Sequence, residues 1–260
     1  MTEYETVKYA KDDAVAIITI HRPDAMNSFN DELRRDLLAA CEQAANDEAV
    51  RVVLLTGEGR SFSAGADLKS GLNVEQSVED MLQTEYRPVF ESIGAMQKPV
   101  IAAVAGSAAG IGMSLALSCD LLIMADNAFL LSPFTTISLV PDGGLNWLLV
   151  SQIGYRRAFQ LSIESERIGA QQCVELGLAN KAVPADSLMT DALSWARTLA
   201  ERAPLSIAAT KTAMRHAASG SWASTFDIEA PLQQMLRQSE DSAEGIAAFL
   251  EKRKANFKGK

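Results

Sequence analysis

Short runs of aliphatic and β-branched residues alternate with helical patterns through the first half of the chain, and this alternation limits the fold more than any other feature. Four runs are typical of buried strands: residues 15–20 (VAIITI), 50–57 (VRVVLLTG), 99–106 (PVIAAVAG) and 120–126 (DLLIMAD). Residues 28–47 and 78–96 show helical periodicity, with a capping-box spacing at Ser28 and Asp31 and a break near Pro88. This alternation predicts an α/β domain whose strands are largely parallel.

After about residue 145 the strand-like runs give way to helical patterns. Six segments carry them: residues 154–165, 169–178, 186–203, 204–219, 221–238 and 241–254. Prolines and glycines separate these segments, and neither a Ser/Gly-rich linker nor a sequence repeat divides the chain. We therefore expect an α/β core over residues 1–200 and a helical region over residues 201–260 that packs on the core or on another subunit.

Charge and composition exclude several classes of partner. The 260-residue chain is 48% hydrophobic, enough for a large core, and its formal net charge is -9. A nucleic acid or an anionic membrane needs a basic face, so we expect neither as the main partner. The N-terminus shows no signal peptide, and no window approaches the roughly 18 apolar residues of a membrane span, which favours a cytoplasmic protein.

Cysteine and histidine usage argues against disulfides and metals. The three cysteines, Cys41, Cys119 and Cys173, are far apart in apolar or helical runs, which is typical of reduced core thiols. The two histidines, His21 and His216, have no metal-ligand spacing with another His, Cys or acid. We expect no metal site.

Two glycine-bearing stretches follow predicted strands. In residues 59–71 (GRSFSAGADLKSG), small side chains clear a path by which backbone can approach a ligand. Residues 105–120 (AGSAAGIGMSLALSCD) enter a helix near Gly110, where first-turn N–H groups point outward. A tight turn or close packing would also explain either stretch, and neither matches a P-loop or a dinucleotide fingerprint. Together they could supply two converging N–H donors to one oxygen.

A lone carboxylate, Asp142, lies in the segment ISLVPDGGLNW at residues 137–147. Pro-Asp-Gly is turn chemistry, and a turn alone would explain this residue. The alternative is an acid held against an apolar wall to move protons.

In this order, the motifs resemble the enoyl-CoA hydratase/isomerase, or crotonase, superfamily. The likeness spans nearly the whole chain through six segments: HRPDAMNSFNDEL, SFSAGADL, AGSAAGIGMSLALSCDLLIMAD, PFTTISLVPDGG, ERIGAQQCVELGLANKAVP and FLEKRKANFKGK. The resemblance implies a core of ββα turns wound as a spiral and C-terminal helices that form a homotrimer or a dimer of trimers. It implies an acyl-CoA thioester as ligand and no separate cofactor, because coenzyme A enters as part of the substrate.

The resemblance also assigns roles to residues. The backbone N–H groups of Ala66 and Ile111 correspond to the pair that holds the thioester oxygen in the family. The two positions that carry glutamates in hydratases are Ser114 and Phe134 here, and neither can exchange protons for hydration. The remaining acid, Asp142, matches the single acid of Δ3,Δ2-enoyl-CoA isomerases and related ring isomerases.

The expected activity is therefore double-bond isomerisation of an acyl-CoA, with Asp142 as base and then acid. The resemblance places the coenzyme A moiety along residues 60–68, and Phe134 in the substrate pocket. The contacts expected of the coenzyme come from Arg60, Ser63, Ala64 and Leu68, and from Phe249 and Lys252 of a neighbouring subunit. A solvated basic tail is the other interpretation of KRK at residues 252–254. Asp67 and Asp120 are expected to tie the structure together.

Three alternatives stay open. A hydratase-like or ring-isomerising activity in fatty or aromatic acid degradation would use the same oxyanion hole. A dehalogenase-like use of Asp142 as a nucleophile is disfavoured, because no histidine lies between residues 22 and 215 to hydrolyse the ester. A non-catalytic relative that only binds acyl-CoA would bind the thioester without proton exchange. The stretch at residues 70–86, which should line the acyl pocket, does not reveal the substrate.

Overall fold

The computed structural model describes residues 4–69 and 77–260. Its strands are β1 (Val7–Asp12), β2 (Val15–Ile20), β3 (Val52–Gly57), β4 (Ser61–Ser63), β5 (Val100–Val104), β6 (Ser107–Ala109), β7 (Leu121–Ala125), β8 (Phe129–Leu131), β9 (Ile168–Gly169) and β10 (Lys181–Val183). Its α-helices are α1 (Asp31–Asn46), α2 (Val78–Met81), α3 (Arg87–Ala95), α4 (Ile111–Ser118), α5 (Leu145–Ile153), α6 (Tyr155–Glu164), α7 (Ala170–Leu176), α8 (Leu188–Ala200), α9 (Pro204–Ala217), α10 (Trp222–Arg237) and α11 (Glu240–Glu251). Two 3-10 helices span Pro23–Ala25 and Phe134–Ile137.

The main sheet has six strands in the order β1-β2-β3-β5-β7-β10. Strands β2, β3, β5, β7 and β10 pair in parallel, and β1 forms an antiparallel hairpin with β2. The four predicted strands all lie in this sheet, and the prediction of a largely parallel α/β core is confirmed. Strand β1 was not predicted, because three of its six residues are charged and it has no continuous apolar run.

A second, smaller sheet has the order β4-β6-β8-β9. Its first three strands each follow a strand of the main sheet after a short turn, giving the pairs β3–β4, β5–β6 and β7–β8. This repeated step between two sheets is the ββα core that the sequence predicts. Gly106 makes one step possible, since it has φ +59° and a Cβ there would lie 1.9 Å from the Arg60 carbonyl oxygen.

Helices α1 and α8 cover the main sheet, and α3 packs on α1 and α4. Each buries one apolar stripe, with Leu33, Leu37, Ile93 and Ala196 fully enclosed. Helix α4 differs, because all eight of its residues are buried. A helix that is apolar on every side belongs inside the protein, and α4 packs against β4 and β6 of the smaller sheet and against α3 and α5.

The start of α1 differs from the prediction. Its N-cap is Asn30, whose side chain accepts a 3.0 Å hydrogen bond from the Leu33 N–H. The capping box at Ser28 and Asp31 is therefore wrong, and the Ser28 hydroxyl instead faces the guanidinium of Arg22 at 3.3 Å. Asn and Ser are about equally good N-cap residues, so residue type alone could not decide between Ser28 and Asn30 as the N-cap of α1.

The break expected near Pro88 is present. A π-helical turn at Leu82–Tyr86 separates α2 from α3, and Pro88 lies in the first turn of α3. The helix widens there, since the Arg87 N–H bonds to the Leu82 carbonyl five residues back, and Pro88, which has no N–H, directly follows this turn.

The C-terminal end is helical. Helix α9 packs against α10, and α10 against α11, while α10 has no buried residue and exposes Trp222 and Phe226. Cys41 and Cys173 are buried and Cys119 is half-buried, and all three are free thiols, as expected. In the described ranges no helix has the length and apolarity that crossing a membrane requires.

Candidate active site

The two glycine-bearing stretches lie side by side. Strands β4 and β6 pair in parallel, with Ser61 opposite Ser107 and Ser63 opposite Ala108. The loops that follow these strands touch, because a Cβ on Gly65 would lie 2.9 Å from the Ala109 carbonyl oxygen. Gly65 also has φ +101°, so only glycine fits the position without strain.

Two backbone N–H groups are left free where these loops meet. Phe29 bridges the first loop by donating to the Gly65 carbonyl (2.8 Å) and accepting from the Asp67 N–H (2.9 Å), which leaves the Ala66 N–H outside the pairing. Ile111 is the first residue of α4. Within residues 4–69 and 77–260, neither amide has a hydrogen-bond acceptor. An oxygen that develops negative charge is the group such donors stabilise, and the helix dipole at Ile111 adds to the effect.

Asp142 lies in a loop that rests on the first turn of α4. Its carbonyl oxygen accepts hydrogen bonds from the Ser114 hydroxyl (2.9 Å) and the Leu145 N–H (3.1 Å). The next residue, Gly143, has φ +61°, and a Cβ there would lie 2.5 Å from the Ile111 side chain. This contact packs the Asp142 loop against the side chain of Ile111, whose main-chain N–H is one of the two free amides.

The carboxyl group of Asp142 is poorly solvated. Its Oδ1 atom is buried and has no hydrogen-bond partner in the described part of the chain. Burial raises the pKa of Asp142 to about 6, while a backbone hydrogen bond acts weakly in the opposite direction. An acid with a pKa near neutrality can both take and return a proton. The structure therefore gives Asp142 properties that a simple turn residue does not need.

Asp142 lines a cavity of about 650 Å³. Most of its wall is apolar or aromatic, formed by Leu82, Tyr86, Phe90, Val140, Pro141, Trp147 and Leu148. Sequence reasoning did not identify Leu82, Tyr86 and Phe90, although their spacing of four residues is the signal of one helical face. Residues 70–76 of the stretch expected to line the pocket lie outside the described residues, but its end at Leu82 and Tyr86 does line it.

Tyr86 is held in place at this wall. Its ring packs against Phe29 with centroids 5.8 Å apart, and its oxygen accepts a 3.4 Å hydrogen bond from Arg34. Burial raises the pKa of the Tyr86 phenol, and the negative charge of Asp142 adds to this rise. Tyr86 and Asp142 are therefore close enough to sense each other's charge inside the cavity.

Other carboxylates near the site are engaged elsewhere. Asp67 pairs with Arg22 at 2.9 Å, and Glu85 pairs with Arg34 at 2.6 Å. Asp120 accepts from the Val100 N–H and pairs with Lys211. The expectation that Asp67 and Asp120 tie the structure together is confirmed.

The two positions that correspond to hydratase glutamates carry no acid. Ser114 is buried inside α4, and its hydroxyl is occupied by the Asp142 carbonyl. Phe134 is also buried, with its ring tip 3.8 Å from where a Cβ on Gly110 would lie. Phe134 therefore borders the loop of the free amides but does not line the cavity of Asp142.

The residues expected to contact coenzyme A are divided between two places. Ser63 and Ala64 end β4 beside the free amides, and Arg60 and Leu68 are exposed on either side of them. Ser63 is fully buried and its hydroxyl accepts from the Gly65 N–H at 3.3 Å, so within the single chain Ser63 presents no exposed surface to a ligand.

Phe249 and Lys252 lie apart from this site within the chain. Phe249 is 82% exposed and lines a cavity that shares no residue with that of Asp142. Lys252 caps the end of α11. The KRK segment is not a set of free cations, because Arg253 pairs with Glu244 at 2.6 Å and Lys254 pairs with Glu201 at 2.7 Å.

Known proteins resemble this chain over its full length. A family model described as enoyl-CoA hydratase/isomerase matches residues 10–260. A probable enoyl-CoA hydratase of Rhodobacter capsulatus is 38% identical over 257 residues, covering 99% of each chain. The 1,2-epoxyphenylacetyl-CoA isomerase of Escherichia coli is 36% identical over 251 residues, covering 95% of each chain. The crystal structure of an enoyl-CoA hydratase from Bacillus anthracis superposes with a TM-score of 0.94 at 32% identity, covering 98% of this chain and 100% of that one.

Proposed function

The chain belongs to the enoyl-CoA hydratase/isomerase family, and we propose that it is an acyl-CoA double-bond isomerase in which Asp142 moves the proton. One observation carries this proposal: a single carboxyl group with an unpartnered buried oxygen faces an apolar cavity, and its loop packs on Ile111, one of the two residues whose N–H groups are free. The likeness to an isomerase at 36% identity supports the same class of reaction.

The proposed reaction needs one acid and one oxyanion site. The thioester oxygen accepts hydrogen bonds from the N–H groups of Ala66 and Ile111, which stabilise negative charge on it. The Asp142 carboxylate removes a proton from the acyl carbon next to the double bond, and the electron pair moves into a dienolate. The same group, now protonated, returns that proton two carbons away along the chain. No other reactant is consumed.

Hydration is the competing reaction, and the site is poorly arranged for it. Water addition needs a group that activates the water and a group that delivers a proton. Ser114 and Phe134 stand at the two positions where hydratases carry glutamates, and neither titrates near neutral pH. The apolar wall of Tyr86, Phe90 and Leu148 also gives a water molecule few partners.

The coenzyme part of the substrate is proposed to run along residues 60–68. The exposed Arg60 supplies a cation for a phosphate group, and the main chain at Ser63 and Ala64 is adjacent to the free amides. Phe249 and Lys252 lie away from this strip, so their contribution requires a second copy of the chain. A homotrimer or a dimer of trimers, as the resemblance implies, would supply it.

Isotope exchange tests this proposal. The protein is incubated in D2O with 3-enoyl-, 2-enoyl- and aryl-acetyl-CoA esters, and the products are analysed by mass spectrometry and NMR. Deuterium should enter the acyl chain at the carbons that gain protons, with interconversion of 2- and 3-enoyl isomers and no added water. Thioester binding without any exchange would point to a non-catalytic relative and contradict the proposal.

A further inference from the structure

An arginine of the C-terminal region reaches the cavity of Asp142. Arg215 lies on α9, and its guanidinium lines the same cavity as Asp142, at the side formed by Ser118 and Leu148. Its Nη2 atom donates to the Ser118 carbonyl at 3.0 Å and pairs with Asp120 Oδ1 at 2.8 Å. Its Nε and Nη1 atoms have no acceptor within the ranges that the structure describes.

The positive charge of Arg215 is only partly balanced. Asp120 is shared with Lys211, whose Nζ lies 2.7 Å from Asp120 Oδ2 and also donates to two backbone carbonyls. One carboxylate therefore faces two cations. The other charged pair at the cavity, Arg87 with Glu91 at 2.6 Å, is balanced within α3. An excess positive charge remains at the Arg215 side of the cavity.

Asp142 and Arg215 contact residues of α4 that lie about one helical turn apart. The Ser114 hydroxyl donates to the Asp142 carbonyl, and the Ser118 carbonyl accepts from Arg215. Ser114 and Ser118 are four residues apart, about 6 Å along the helix axis. An acyl chain whose reacting carbons lie at Asp142 would bring atoms a few carbons further along within reach of the guanidinium.

There is space beyond this point for the end of such a chain. A second cavity of about 660 Å³ lies between α4, α5 and α9. It shares Ser118, Trp147, Leu148 and Arg215 with the first. Arg215 therefore stands where the two cavities join, and not at a closed wall.

We propose that the preferred substrates are acyl-CoA esters whose acyl group ends in a second carboxylate, and that Arg215 binds this carboxylate. Both hydrogens of Nη2 are used by Ser118 and Asp120, so the carboxylate would accept a charge-assisted hydrogen bond from Nη1. A bound carboxylate would also balance the excess charge around Asp120. The proposal rests on the proposed function only in using the same cavity for the acyl group.

A purely structural role for Arg215 is the competing explanation. The contacts with Ser118 and Asp120 do tie α9 to the core. These contacts use Nη2 alone, and their loss would change the affinity for every acyl-CoA ester equally. Selectivity between charged and uncharged acyl ends therefore separates the two explanations.

Binding of saturated esters tests the proposal without relying on turnover. Affinities for adipyl-CoA and hexanoyl-CoA, which have equal chain lengths and differ in the terminal carboxylate, are measured by isothermal titration calorimetry. Glutaryl- and suberyl-CoA, each beside its monocarboxylic equivalent, cover the neighbouring lengths. We expect the wild type to bind the best dicarboxylic ester about 10 to 100 times more tightly than its equivalent, as a charge-assisted hydrogen bond would give.

Variants identify the residue responsible. Arg215→Gln should reduce this preference to about one by weakening only the dicarboxylic ester, and Arg87→Gln should retain it. If Arg215→Gln does not fold, Arg215→Lys, which can keep the pair with Asp120 but has no second nitrogen to donate to the ester, should lower the preference several-fold. Equal wild-type affinities for both esters, or an equal loss of both in the Arg215 variants, would overturn the proposal. Because no reaction is involved, a failed isomerase assay would leave this result unaffected.

Discussion

The hydroxyl of Ser114 donates a 2.9 Å hydrogen bond to the main-chain carbonyl of Asp142. Ser114 belongs to the same first turns of α4 that present the free N–H of Ile111. Through this bond, and through the close packing of Gly143 on Ile111, the proposed proton carrier and one oxyanion donor are held on a single rigid element. The resemblance aligns Ser114 with an acid of the hydratases, and in this chain its hydroxyl instead holds the main chain of Asp142.

Removing this hydroxyl should loosen the Asp142 loop. In Ser114→Ala, the Asp142 carbonyl keeps only the Leu145 N–H, and we expect kcat to fall about 3- to 10-fold, the equivalent of one ordinary hydrogen bond. Acyl-CoA affinity should change little. Steady-state kinetics with a 3-enoyl-CoA would measure both parameters.

Ser92→Ala is the matched control for that variant. The Ser92 hydroxyl also donates to a helix carbonyl, that of Val89 at 2.7 Å, but does not line the cavity. Equal effects of the two substitutions on kcat would mean that the Ser114 bond has no special part in holding Asp142.

The first glycine loop provides a test of the oxyanion site. Gly65→Ala forces a side chain to within 2.9 Å of the Ala109 carbonyl oxygen at a left-handed φ. The strain should displace the adjacent Ala66 N–H, and the loss of one such donor typically lowers kcat about 10²- to 10³-fold. We also expect a loss of stability of about 1–3 kcal/mol.

Gly177→Ala separates these two effects. Gly177 has φ +78°, and no heavy atom lies within 4 Å of its built Cβ, so the substitution brings backbone strain without a clash. It should lower the melting temperature and leave kcat close to that of the wild type. A Gly65 variant with full kcat would remove Ala66 from the oxyanion site.

We expect no hydration of enoyl-CoA esters, because Ser114 and Phe134 offer no carboxyl group that could activate water or deliver a proton. With crotonyl-CoA as substrate, we expect no appreciable 3-hydroxyacyl-CoA by liquid chromatography and mass spectrometry. A hydration rate typical of enzymes, with kcat on the order of 10 per second, would contradict the isomerase assignment. Since the hydratase relatives share the fold, this measurement separates two reactions that the fold alone cannot.

The pH dependence of kcat should reflect the ionisation of the Asp142 carboxyl group. Only its carboxylate form can remove a proton, and its pKa is raised to about 6 by burial. The turnover number should therefore rise with pH, reach half its plateau near pH 6 and stay level at mildly alkaline pH. A half-rise near pH 4 would indicate a solvated carboxyl group and would argue against a desolvated base.

Much of this architecture could be predicted from the sequence, because each strand carries its own signal. The apolar runs of β2, β3, β5 and β7 are continuous, as strands covered on both faces require. The short strands β4, β6 and β8 have three residues each, and five of those nine residues are serine or alanine, so they carry no such signal. Their existence depends on pairing across the chain and not on local preference.

The residues of the proposed site could be predicted from the sequence only where a local motif marks them. Ala66, Ile111 and Asp142 stand in motifs with local meaning, namely a cleared loop, a helix start and a Pro-Asp-Gly turn. Arg215 and Tyr86 have no local motif and reach the cavity only because α9 and the π-helical turn before α3 lie beside α4 in the fold. Whether a nearby carboxylate neutralises the charge of a given arginine depends on such packing, which the composition of the chain does not reveal.

Replacing the proposed base by its amide is the most direct test of the mechanism. Asn at residue 142 retains the shape and the main-chain bonds to Ser114 and Leu145 but cannot carry a proton. We expect Asp142→Asn to lose about 10² to 10⁴ in kcat with nearly unchanged acyl-CoA affinity. Full turnover in this variant would return Asp142 to the role of a turn residue.

Stability should move in the opposite direction to activity in the same variant. The pKa of Asp142 is raised to about 6 in the folded state, above the roughly 3.9 expected when unfolded, so folding favours the protonated form. Between about pH 4 and pH 6 the folded state binds more protons, and wild-type stability falls as pH rises through this window. The asparagine side chain of the variant is uncharged at every pH, so its burial carries no penalty for desolvating a charge. Asp142→Asn should therefore gain about 1–3 kcal/mol relative to wild type at neutral pH and little near pH 4, as urea unfolding at both values would show. The same relative stability at both pH values would mean that the carboxyl group is solvated in the fold, and the proposed base would lose its physical basis.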